Sequence, residues 1–535
     1  MKPRSRRPPA ILASVVALVF LNQLFSSGDF VEQSLQILPS AVAIELVLLV
    51  LLFALFVQRP ALLLWLLAAL GLALFALRVA DIAIPWFFGR NLNVAIDARF
   101  VPFSVRLLAD AMAPLEFAAL AALAAAALLA ALALVRAALE TVWRTVAMRG
   151  WAGLALGFAV LGAGWFWMPK APSTPDPRPA LSADAFGAAA SAVDSVLRAE
   201  GLRGAHRARI EAAQAQLPAA SDFAPLGGRS VVLIFVESYG LVTATEPAFA
   251  ASMDRLRADL QIRLDAAGFA SATGLLRSPI TGGGSWMAHG TLLAGAKIAA
   301  QDAYEVMLVS RIRTLAHRFG EAGYRTLALM PRIDLPWPEG KLLGFADIRL
   351  QPELPYKGPR FAWESLPDQW VLARFGREDL APAPLFAKIV LASSHTPFER
   401  VPAYVDDWDA LAAPEPYLNL PVREFPVRFG QIFEQDAGYL ASVSYALESV
   451  VRFAAERTND ETLFLVVGDH QPPLTVARKT GDFSVPIHVF SRKAELVAPF
   501  QARGYVPGLR LPAGTAATGM EDFLANFLAD FGSAP

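Results

Sequence analysis

The segment Thr462–Pro473 contains the most informative pair of residues in this sequence, Asp469 followed by His470. Bulky apolar residues and a glycine precede the pair, a pattern that predicts a strand buried on both faces of a parallel sheet. The pair then lies just past the carboxyl end of that strand, the edge at which open α/β sheets bind ligands. An adjacent Asp and His can offer an oxygen and an imidazole nitrogen to one divalent cation. For an isolated pair, a chance placement in a loop is the alternative.

Two other segments place chemically suitable residues at comparable positions. Glu237 ends the apolar run that begins at Ser230, and Ser285 follows three glycines where a helical pattern begins. Free N–H groups and the dipole at a helix N-terminus favour a phosphate or an alkoxide. Together with Asp469 and His470, these two residues would give a divalent cation a mixed shell of oxygen and nitrogen ligands. A cation beside the serine hydroxyl lowers its pKa, which makes Ser285 a candidate nucleophile near neutral pH.

Two side chains that can bind an anion follow the remaining strand-like runs. Arg332 comes after the run Tyr324–Met330, and His395 comes after the run that begins at Phe386. Both can bind the oxygens of an anionic ester, Arg332 in bidentate fashion. The predicted chemistry is displacement at phosphorus through a covalent phosphoserine-type intermediate. Ligation dominated by oxygen, with one imidazole, favours Mn²⁺ or Mg²⁺, and Zn²⁺ stays open.

Two residues close to these positions have both a functional and a structural interpretation. Trp337 follows the candidate arginine closely and either stacks on the substrate or is an ordinary surface or core tryptophan. His289 is four residues beyond Ser285 and lies on the same face if the helix forms, so we favour a role in the site over a structural one. His488 alternates like a strand residue, and we interpret it as structural.

The elements that must position these residues are unevenly distributed along the 535-residue chain. Hydrophobic residues make up 55% of the sequence, the net charge is -1, and there is no cysteine. The charge balance gives no sign of nucleic-acid binding. The missing cysteine excludes disulfides, thiolate metal sites and a cysteine nucleophile. Apolar residues are concentrated in the N-terminal third, whereas the rest has the composition of a globular domain.

Five apolar segments before residue 170 are long enough to cross a bilayer. They are approximately residues 9–25, 40–57, 61–79, 112–135 and 151–168. A cleaved signal peptide is the alternative for the first segment, but the closely following segments favour an uncleaved helix. Basic residues such as Arg59 and Arg136 alternate with acidic loops such as that around Asp81, so the positive-inside rule places the N-terminus in the cytoplasm. Five spans then place everything after Met168 on the periplasmic or extracellular side of the cytoplasmic membrane.

The sequence therefore divides into three regions, of which the predicted transmembrane domain, residues 1–168, is the first. Residues 169–228 begin with a proline-dense tether and continue with a stretch rich in Ala, Arg and Glu, which predicts one or two surface helices. In residues 229–535, apolar strand-like runs alternate with helical patterns. This alternation predicts an α/β domain with a mostly parallel sheet flanked by helices.

The motifs, taken together, resemble a known protein family. The segments Val236-Glu-Ser-Tyr-Gly240, Gly-Gly-Gly-Ser285, Ser394-His-Thr-Pro-Phe398 and Gly468-Asp-His470 occur in this order behind five predicted spans. In this they are similar to the lipoteichoic acid synthase and membrane phosphoglycerol transferase family, and the resemblance covers nearly the whole chain. That family belongs to the alkaline phosphatase and sulfatase superfamily, whose fold the resemblance implies for residues 229–535.

The resemblance also implies a role for each matched residue. Three positions would be ligands of one divalent cation, with Mn²⁺ favoured: Glu237, Asp469 and His470. Ser285 would take the place of the family's nucleophilic threonine, and Arg332 and His395 would hold the glycerophosphate group. The family moves phosphoglycerol from phosphatidylglycerol to a hydroxyl acceptor outside the cytoplasm. The resemblance thus implies a lipid donor and a glycan or glycerophosphate-like acceptor.

Several alternatives stay open on the same residues. A phosphoethanolamine transferase shares the plan of five spans and the reaction type, and it ranks second. A sulfatase-like phosphodiesterase or hydrolase would release its product to water, and a non-catalytic scaffold would only bind lipid or glycan. The residues after Ser285 lack the acidic groups associated with the lipoteichoic acid enzymes, so a periplasmic glycan is an open acceptor. They also lack the Pro and Arg that a sulfatase needs for conversion of its nucleophile to formylglycine.

Overall fold

The computed structural model divides the chain into two compact units. The first contains Met1–Pro85 and Asn91–Glu200, and the second contains Trp86–Arg90 and Gly201–Pro535. The structure describes residues 8–147 and 181–532 except for 26–29, 32–33, 36–41, 55–60, 89–91, 103–104, 106–108, 110–112, 183, 219–220, 362–363, 426–434, 459–461, 479–481 and 512–516. The predicted fifth span and the proline-dense tether lie outside the described residues.

Apolar helices dominate the described part of the first unit. Four of them overlap the first four predicted spans: α1 (Pro8–Phe25), α2 (Ile44–Ala54), α3 (Ala61–Phe88) and α4 (Pro114–Ala147). Among the described residues, two segments are long and apolar enough to cross a bilayer, Ala61–Asp81 and Pro114–Ala147. Two more helices follow in the chain: α5 (Asp184–Leu197) belongs to the first unit, and α6 (Ala199–Ala215) lies almost entirely in the second. They occupy the stretch in which the composition predicts one or two helices.

A nine-stranded sheet forms the centre of the second unit. Its strands are β1 (Val231–Val236), β2 (Ala270–Arg277), β3 (Arg325–Met330), β4 (Asp347–Leu350), β5 (Leu385–Leu391), β6 (Leu463–Gly468), β7 (Ser484–Ser491), β8 (Val506–Pro507) and β9 (Thr518–Gly519). They lie in the order β8-β2-β7-β6-β1-β5-β3-β4, and β9 also pairs with β2. Short ladders outside this sheet join Phe30–Val31 to Ser34–Leu35, Val42–Ala43 to Leu181–Ser182, and Arg400–Val401 to Arg423–Glu424.

The sheet is parallel at its centre and antiparallel towards one side. β6, β1, β5, β3 and β4 are parallel neighbours. β7 runs antiparallel to both β6 and β2, and β8 is antiparallel to β2. The predicted α/β domain with a mostly parallel sheet is therefore confirmed, with an antiparallel side that the strand pattern does not predict.

Helices cover both faces of this sheet. Their bounds are α7 (Pro247–Ala266), α8 (Ser285–Ala294), α9 (Gln301–Val309), α10 (Leu315–Glu321), α11 (Asp368–Glu378), α12 (Asp436–Arg457), α13 (Ala494–Ala502) and α14 (Asp522–Phe531). Single helical turns occur at Val242–Thr245, Glu339–Leu342 and Leu474–Ala477 in this unit, and at Val94–Asp97 in the first unit. Leu233 and Phe235 of β1 enter one hydrophobic core, and Ile234 and Val236 enter the other. Burial on both faces explains the unbroken apolar pattern of this strand.

The register of the central strands brings the candidate residues to one edge. Val236 at the end of β1 pairs with Gly468 of β6 and with Leu391 of β5. The next residues, Glu237 and Asp469, therefore leave the sheet side by side. β2 runs in the same direction as β6, because both are antiparallel to β7. The turn that leads from β2 into α8 thus begins at this edge as well, where α/β sheets bind ligands.

Candidate metal and nucleophile site

Three buried polar side chains converge where β1 and β6 end. Glu237, Asp469 and His470 are 6%, 0% and 1% exposed, and a ligand atom from each lies within 4.8 Å of the other two. The Nε2 atom of His470 is 3.2 Å from Oε1 of Glu237 and 3.7 Å from Oδ2 of Asp469. Two carboxylates and one imidazole in a water-poor pocket form a donor set suited to a divalent cation.

Ser285 joins this group from the first position of α8. Its Oγ donates a hydrogen bond to Oε2 of Glu237 at 3.0 Å and lies 3.1 Å from Nε2 of His470. The three preceding glycines, 282–284, have φ angles of 71°, 149° and 82°. A side chain is strained at such angles, so glycine is required for the turn. This turn brings the serine, which is half-buried, against the carboxylate and the imidazole.

A backbone carbonyl fixes the orientation of the His470 ring. Its Nδ1 lies 2.8 Å from the carbonyl oxygen of Gln471, so we assign the ring proton of the neutral form to Nδ1, which donates to that oxygen. In the protonated ring, Nε2 donates to Glu237, whereas in the neutral form its lone pair is free to bind a cation. Histidines that bind metals are commonly oriented in this way, with the outer nitrogen donating to a carbonyl group.

The two carboxylate oxygens of Asp469 have different surroundings. Oδ1 accepts the backbone N–H groups of Ser238 and His470, both at 2.8 Å. Oδ2 is buried and has no hydrogen-bond partner among the described residues. A buried carboxylate oxygen without a partner is costly in free energy. A cation between Oδ2, Glu237 and His470 would supply that partner, so the residues of this site fit a divalent cation.

The protonation states of these three groups depend on one another. Burial would raise the pKa of Glu237, but the neighbouring His470 holds it well below its usual range. Burial, and then the charge of Glu237, raise the pKa of Asp469 to about 7. Burial would lower the pKa of His470, but Asp469 and Glu237 raise it to about 9. Two carboxylates thus compete for one protonated imidazole, and a divalent cation would neutralise both.

Hydroxyl and carboxylate groups from other elements hold the loops of the site. Ser394 donates from Oγ to the carbonyl oxygen of Glu237 at 2.6 Å. Asp368 at the start of α11 accepts the N–H groups of Ala392 and Ser393 at 3.0 and 3.1 Å. Burial raises the pKa of Asp368 to about 7. Asp368 is not predictable as a site residue from the sequence, because an acidic residue at a helix start is an ordinary capping signal and does not indicate a contact with another loop.

Arg332 and His395 lie after β3 and β5, at the same edge as the ligand group. Both side chains are half-buried. Burial lowers the pKa of Arg332, while the nearby Asp334 acts in the opposite direction. The Nδ1 atom of His395 is 2.6 Å from the carbonyl oxygen of Thr396. The charge of His395 contributes to the low pKa of Glu237, which indicates that this histidine is near the carboxylates. The edge thus carries an arginine and a histidine, side chains of the kinds that can bind an anionic ester.

His289 lies in the core below this edge, and Trp337 is half-buried and packs against that core. The His289 ring is buried, and its centroid is 4.0 Å from that of Phe235. The Trp337 ring packs against the backbone at Gly340, and its centroid lies 5.2 Å from Nζ of Lys388. His289 does share a helix face with the serine, as its spacing predicts. For both residues, the packing favours the structural interpretation over direct contact with a substrate.

Comparisons with known proteins give structural similarity only. No family model matches this sequence, and no curated protein sequence matches it. The lipoteichoic acid synthase LtaP from Listeria monocytogenes is 12% identical, with 57% of this chain and 72% of that one covered and a TM-score of 0.36. The phosphoglycerol transferase GacH from Streptococcus pyogenes, in complex with sn-glycerol-1-phosphate, is 13% identical, with 57% and 80% covered and a TM-score of 0.35.

A third similar structure extends over both units. The integral membrane protein lipooligosaccharide phosphoethanolamine transferase A from Neisseria meningitidis is 14% identical, and 98% of this chain and 94% of that one are covered, with a TM-score of 0.45. The first two proteins are of the kinds that the sequence motifs resemble, and the third is of the kind ranked second.

Proposed function

We propose that this protein is a membrane-bound, metal-dependent phosphotransferase that moves phosphoglycerol from phosphatidylglycerol to a hydroxyl acceptor outside the cytoplasm. The observation that carries the proposal is the convergence of a serine hydroxyl with two carboxylates and an imidazole at one sheet edge. Ser285 Oγ lies 3.0 Å from Glu237 and 3.1 Å from His470. A structural serine at the start of a helix needs no such partners, whereas a nucleophile does.

A divalent cation held by Glu237, Asp469 and His470 would supply Lewis acidity, lowering the pKa of the serine hydroxyl and neutralising charge on the phosphate. Ligation dominated by oxygen favours Mn²⁺, with Mg²⁺ and Zn²⁺ as alternatives. The remaining work belongs to the side chains of the protein. The glycine turn and the two short contacts orient Ser285 Oγ, and Arg332 and His395 bind the non-bridging oxygens of the phosphodiester.

The proposed reaction has two displacements at the same phosphorus atom. In the first, Ser285 Oγ forms a bond to phosphorus, the bond to the diacylglycerol oxygen breaks, and diacylglycerol leaves with the serine proton. A glycerophosphoryl group then remains on the serine. In the second, the acceptor hydroxyl forms the new bond to phosphorus, the bond to Oγ breaks, and the acceptor proton returns to the serine. The acceptor in this proposal is an extracytoplasmic glycan or a glycerophosphate-like chain.

The membrane setting of the proposal comes from the first unit. Its two long apolar helices, Ala61–Asp81 and Pro114–Ala147, meet the length and composition needed to cross a bilayer. A donor that is itself a lipid suits an enzyme anchored beside its substrate. With the N-terminus in the cytoplasm, five spans would place the α/β domain on the periplasmic or extracellular side.

Mass spectrometry of the full-length protein after incubation with Mn²⁺ and phosphatidylglycerol tests the proposal. The expected result is a glycerophosphoryl adduct on the peptide that contains Ser285, together with released diacylglycerol. Phosphatidylethanolamine is the parallel substrate, and an adduct formed only from it would establish the phosphoethanolamine transferase instead. Release of glycerol phosphate at the same rate with and without an acceptor would indicate a phosphodiesterase. Absence of an adduct and of turnover with both lipids would contradict the proposal.

A further inference from the structure

Lys388 is a buried cationic residue that the proposed reaction does not use. It lies in the middle of β5 and is 1% exposed. Its Nζ is 3.7 Å from Sδ of Met330, 5.2 Å from the ring centroid of Trp337 and 5.9 Å from that of Phe235. Among the residues that the structure describes, no acidic group pairs with it, and burial is the cause of its lowered pKa, which is about 7.

This position is unfavourable for the stability of the fold. An ammonium group taken from water into an apolar core is costly unless it is paired. A methionine has a similar shape and would pack between Met330 and the two rings without that penalty. Residues that break the rules of core packing without a structural gain are concentrated at functional sites. The burial of Lys388 therefore calls for a functional explanation.

The location of Lys388 connects it to the nucleophile. Phe386 and Val390, two residues before and after it on β5, belong to the same core as Phe235 of β1, so all these side chains are on one face of the sheet. Glu237 is two residues beyond Phe235 on that face. The ring of Phe235 contacts His289, one turn after the serine on α8. Lys388 is thus separated from the serine helix by one layer of aromatic rings.

The same lysine lies under the loop of the candidate anion-binding arginine. Met330, which contacts its Nζ, ends β3 two residues before Arg332, and Trp337 follows in the same loop. The second basic group of this region, His289, has a buried Nε2 without a hydrogen-bond partner among the described residues. Burial, and then the charge of Lys388, lower the pKa of His289. In its protonated form, Lys388 therefore gives positive potential to the core next to α8.

We propose that Lys388 supplies a buried positive charge beneath the phosphoryl group and stabilises the negative charge that develops when Ser285 attacks. The inference rests on the proposed function. Lys388 does not touch the substrate and acts through the electric field of a water-poor core, where a preorganised charge is most effective. A unit charge roughly 10 Å away, at an effective dielectric constant of about 20, changes a rate about tenfold.

The test compares Lys388→Met and Lys388→Gln with the wild-type protein, all full-length and supplied with Mn²⁺ and phosphatidylglycerol vesicles. We expect kcat to fall about tenfold in both variants while KM stays within twofold, because the substrate contacts are unchanged. The melting temperature of Lys388→Met should rise, since the buried charge is gone. If Lys388 had only a structural role, Lys388→Met would have a lower melting temperature than wild type and an unchanged kcat.

Orthovanadate provides a second measurement that needs no lipid. Calorimetric titration of the Mn²⁺-loaded proteins should show about tenfold weaker vanadate binding in both lysine variants. Met330→Leu is the matched control: it changes the packing around Nζ without changing charge, and we expect kcat and vanadate affinity within twofold of wild type. Equal losses in Met330→Leu and Lys388→Met would assign the effect to packing and overturn the proposal.

Failure of this inference and failure of the proposed function give different results. If the wild-type protein binds vanadate but does not turn over phosphatidylglycerol, the donor is wrong, and the vanadate comparison still decides the role of Lys388. If Lys388→Met is more stable and binds vanadate as tightly as wild type, the field effect is absent. The role proposed for Lys388 would also be overturned if the wild-type protein binds no vanadate, or if Lys388→Met is less stable than wild type.

Discussion

Two buried histidine clusters lie on neighbouring strands of the sheet, and their hydrogen bonds are satisfied to different degrees. The ring of His488 on β7 has a hydroxyl partner at each nitrogen, Tyr239 at 2.9 Å from Nε2 and Thr273 at 2.7 Å from Nδ1. The ring of His470 after β6 faces two carboxylates, and Oδ2 of Asp469 beside it has no partner among the described residues.

The pKa values of the two histidines differ as well, in opposite directions from the usual value. Burial, and then the charge of Arg257, lower the pKa of His488 to about 3, so this ring is neutral at all ordinary pH values. Burial opposes the charge on His470, but two carboxylates raise its pKa to about 9. A neutral and fully paired histidine contributes to the fold. Uneven pairing around a charged group is what the proposed cation site predicts, and the unsatisfied oxygen distinguishes the two clusters more clearly than burial does.

The largest expected difference between the clusters follows from removing the Ser285 hydroxyl. Ser285→Ala should lower the release of diacylglycerol from phosphatidylglycerol by roughly 10⁴-fold or more, because no covalent intermediate can form. The free energy of unfolding should change by less than about 1 kcal/mol, since the side chain is small and half-buried. Ser285→Thr keeps a hydroxyl and should retain most of the activity. An alanine variant with more than a tenth of wild-type activity would remove this residue from the nucleophile role.

Asp469→Asn removes one negative charge from the group formed by Glu237, Asp469 and His470. Affinity for Mn²⁺, measured by calorimetry, should fall by about 10- to 100-fold or more. The metal-free variant should melt at a higher temperature than the metal-free wild type, because the repulsion between two buried carboxylates is relieved. Unchanged Mn²⁺ affinity would exclude Asp469 as a ligand.

A substitution in the His488 cluster should lower stability and leave metal binding unchanged. Thr273 Oγ1 contacts both Nδ1 of His488 and the carbonyl oxygen of Gly508, the latter at 2.6 Å. Thr273→Val leaves these buried groups without a partner and should lower the free energy of unfolding by about 1–3 kcal/mol, measured by urea denaturation. Mn²⁺ affinity and kcat should stay within twofold of wild type. A parallel loss of Mn²⁺ affinity would show that the two clusters are not separate in function.

The smallest expected effect is the pH dependence that His488 gives to stability. The unfolded chain takes up a proton at this ring near pH 6.5, whereas the folded protein does so only near pH 3. The contribution to stability is therefore complete above pH 6.5 and is lost as the pH falls. Between pH 6.5 and 5.5 the loss is about 1 kcal/mol. Urea denaturation of metal-free wild type and His488→Gln at both pH values should show the smaller loss in the variant, and equal losses would contradict the assignment.

The sequence predicted those parts of the site that depend on local pattern. The ends of β1 and β6 follow from unbroken apolar runs, and the start of α8 at Ser285 follows from the glycines before a helical pattern. The order of the strands was not predictable, because β7 inserts between β6 and β2 through long-range pairing. The contact of Asp368 with the loop after β5 was not predictable either, because it depends on how α11 packs beside that loop. The chemical roles of all these residues, and of Arg332 and His395, stay predictions.

Lys388 shows the limit of pattern analysis. A lysine inside the run Leu385–Leu391 is compatible with a partly exposed strand, so composition alone gives no reason to single it out. Only the packing of β5 between β1 and β3 shows that the amine is buried. His289 illustrates the reverse case. Its spacing from the serine places it correctly on the helix, but the adjacent Phe235 determines that its ring lies in the core.

The consecutive residues Glu237, Ser238 and Tyr239 join the two clusters. The peptide N–H of Ser238 can report whether a cation occupies the site. Ser238 has a φ of 58°, and its N–H donates to Oδ1 of Asp469 at 2.8 Å, while the next residue, Tyr239, belongs to the His488 cluster. Deuterium exchange at the Ser238 amide should slow when the carboxylate is ionised and held by a cation, because the acceptor is then fixed. Exchange at this single amide would thus report occupancy of the pocket in isolated membranes, before any lipid or acceptor has been identified.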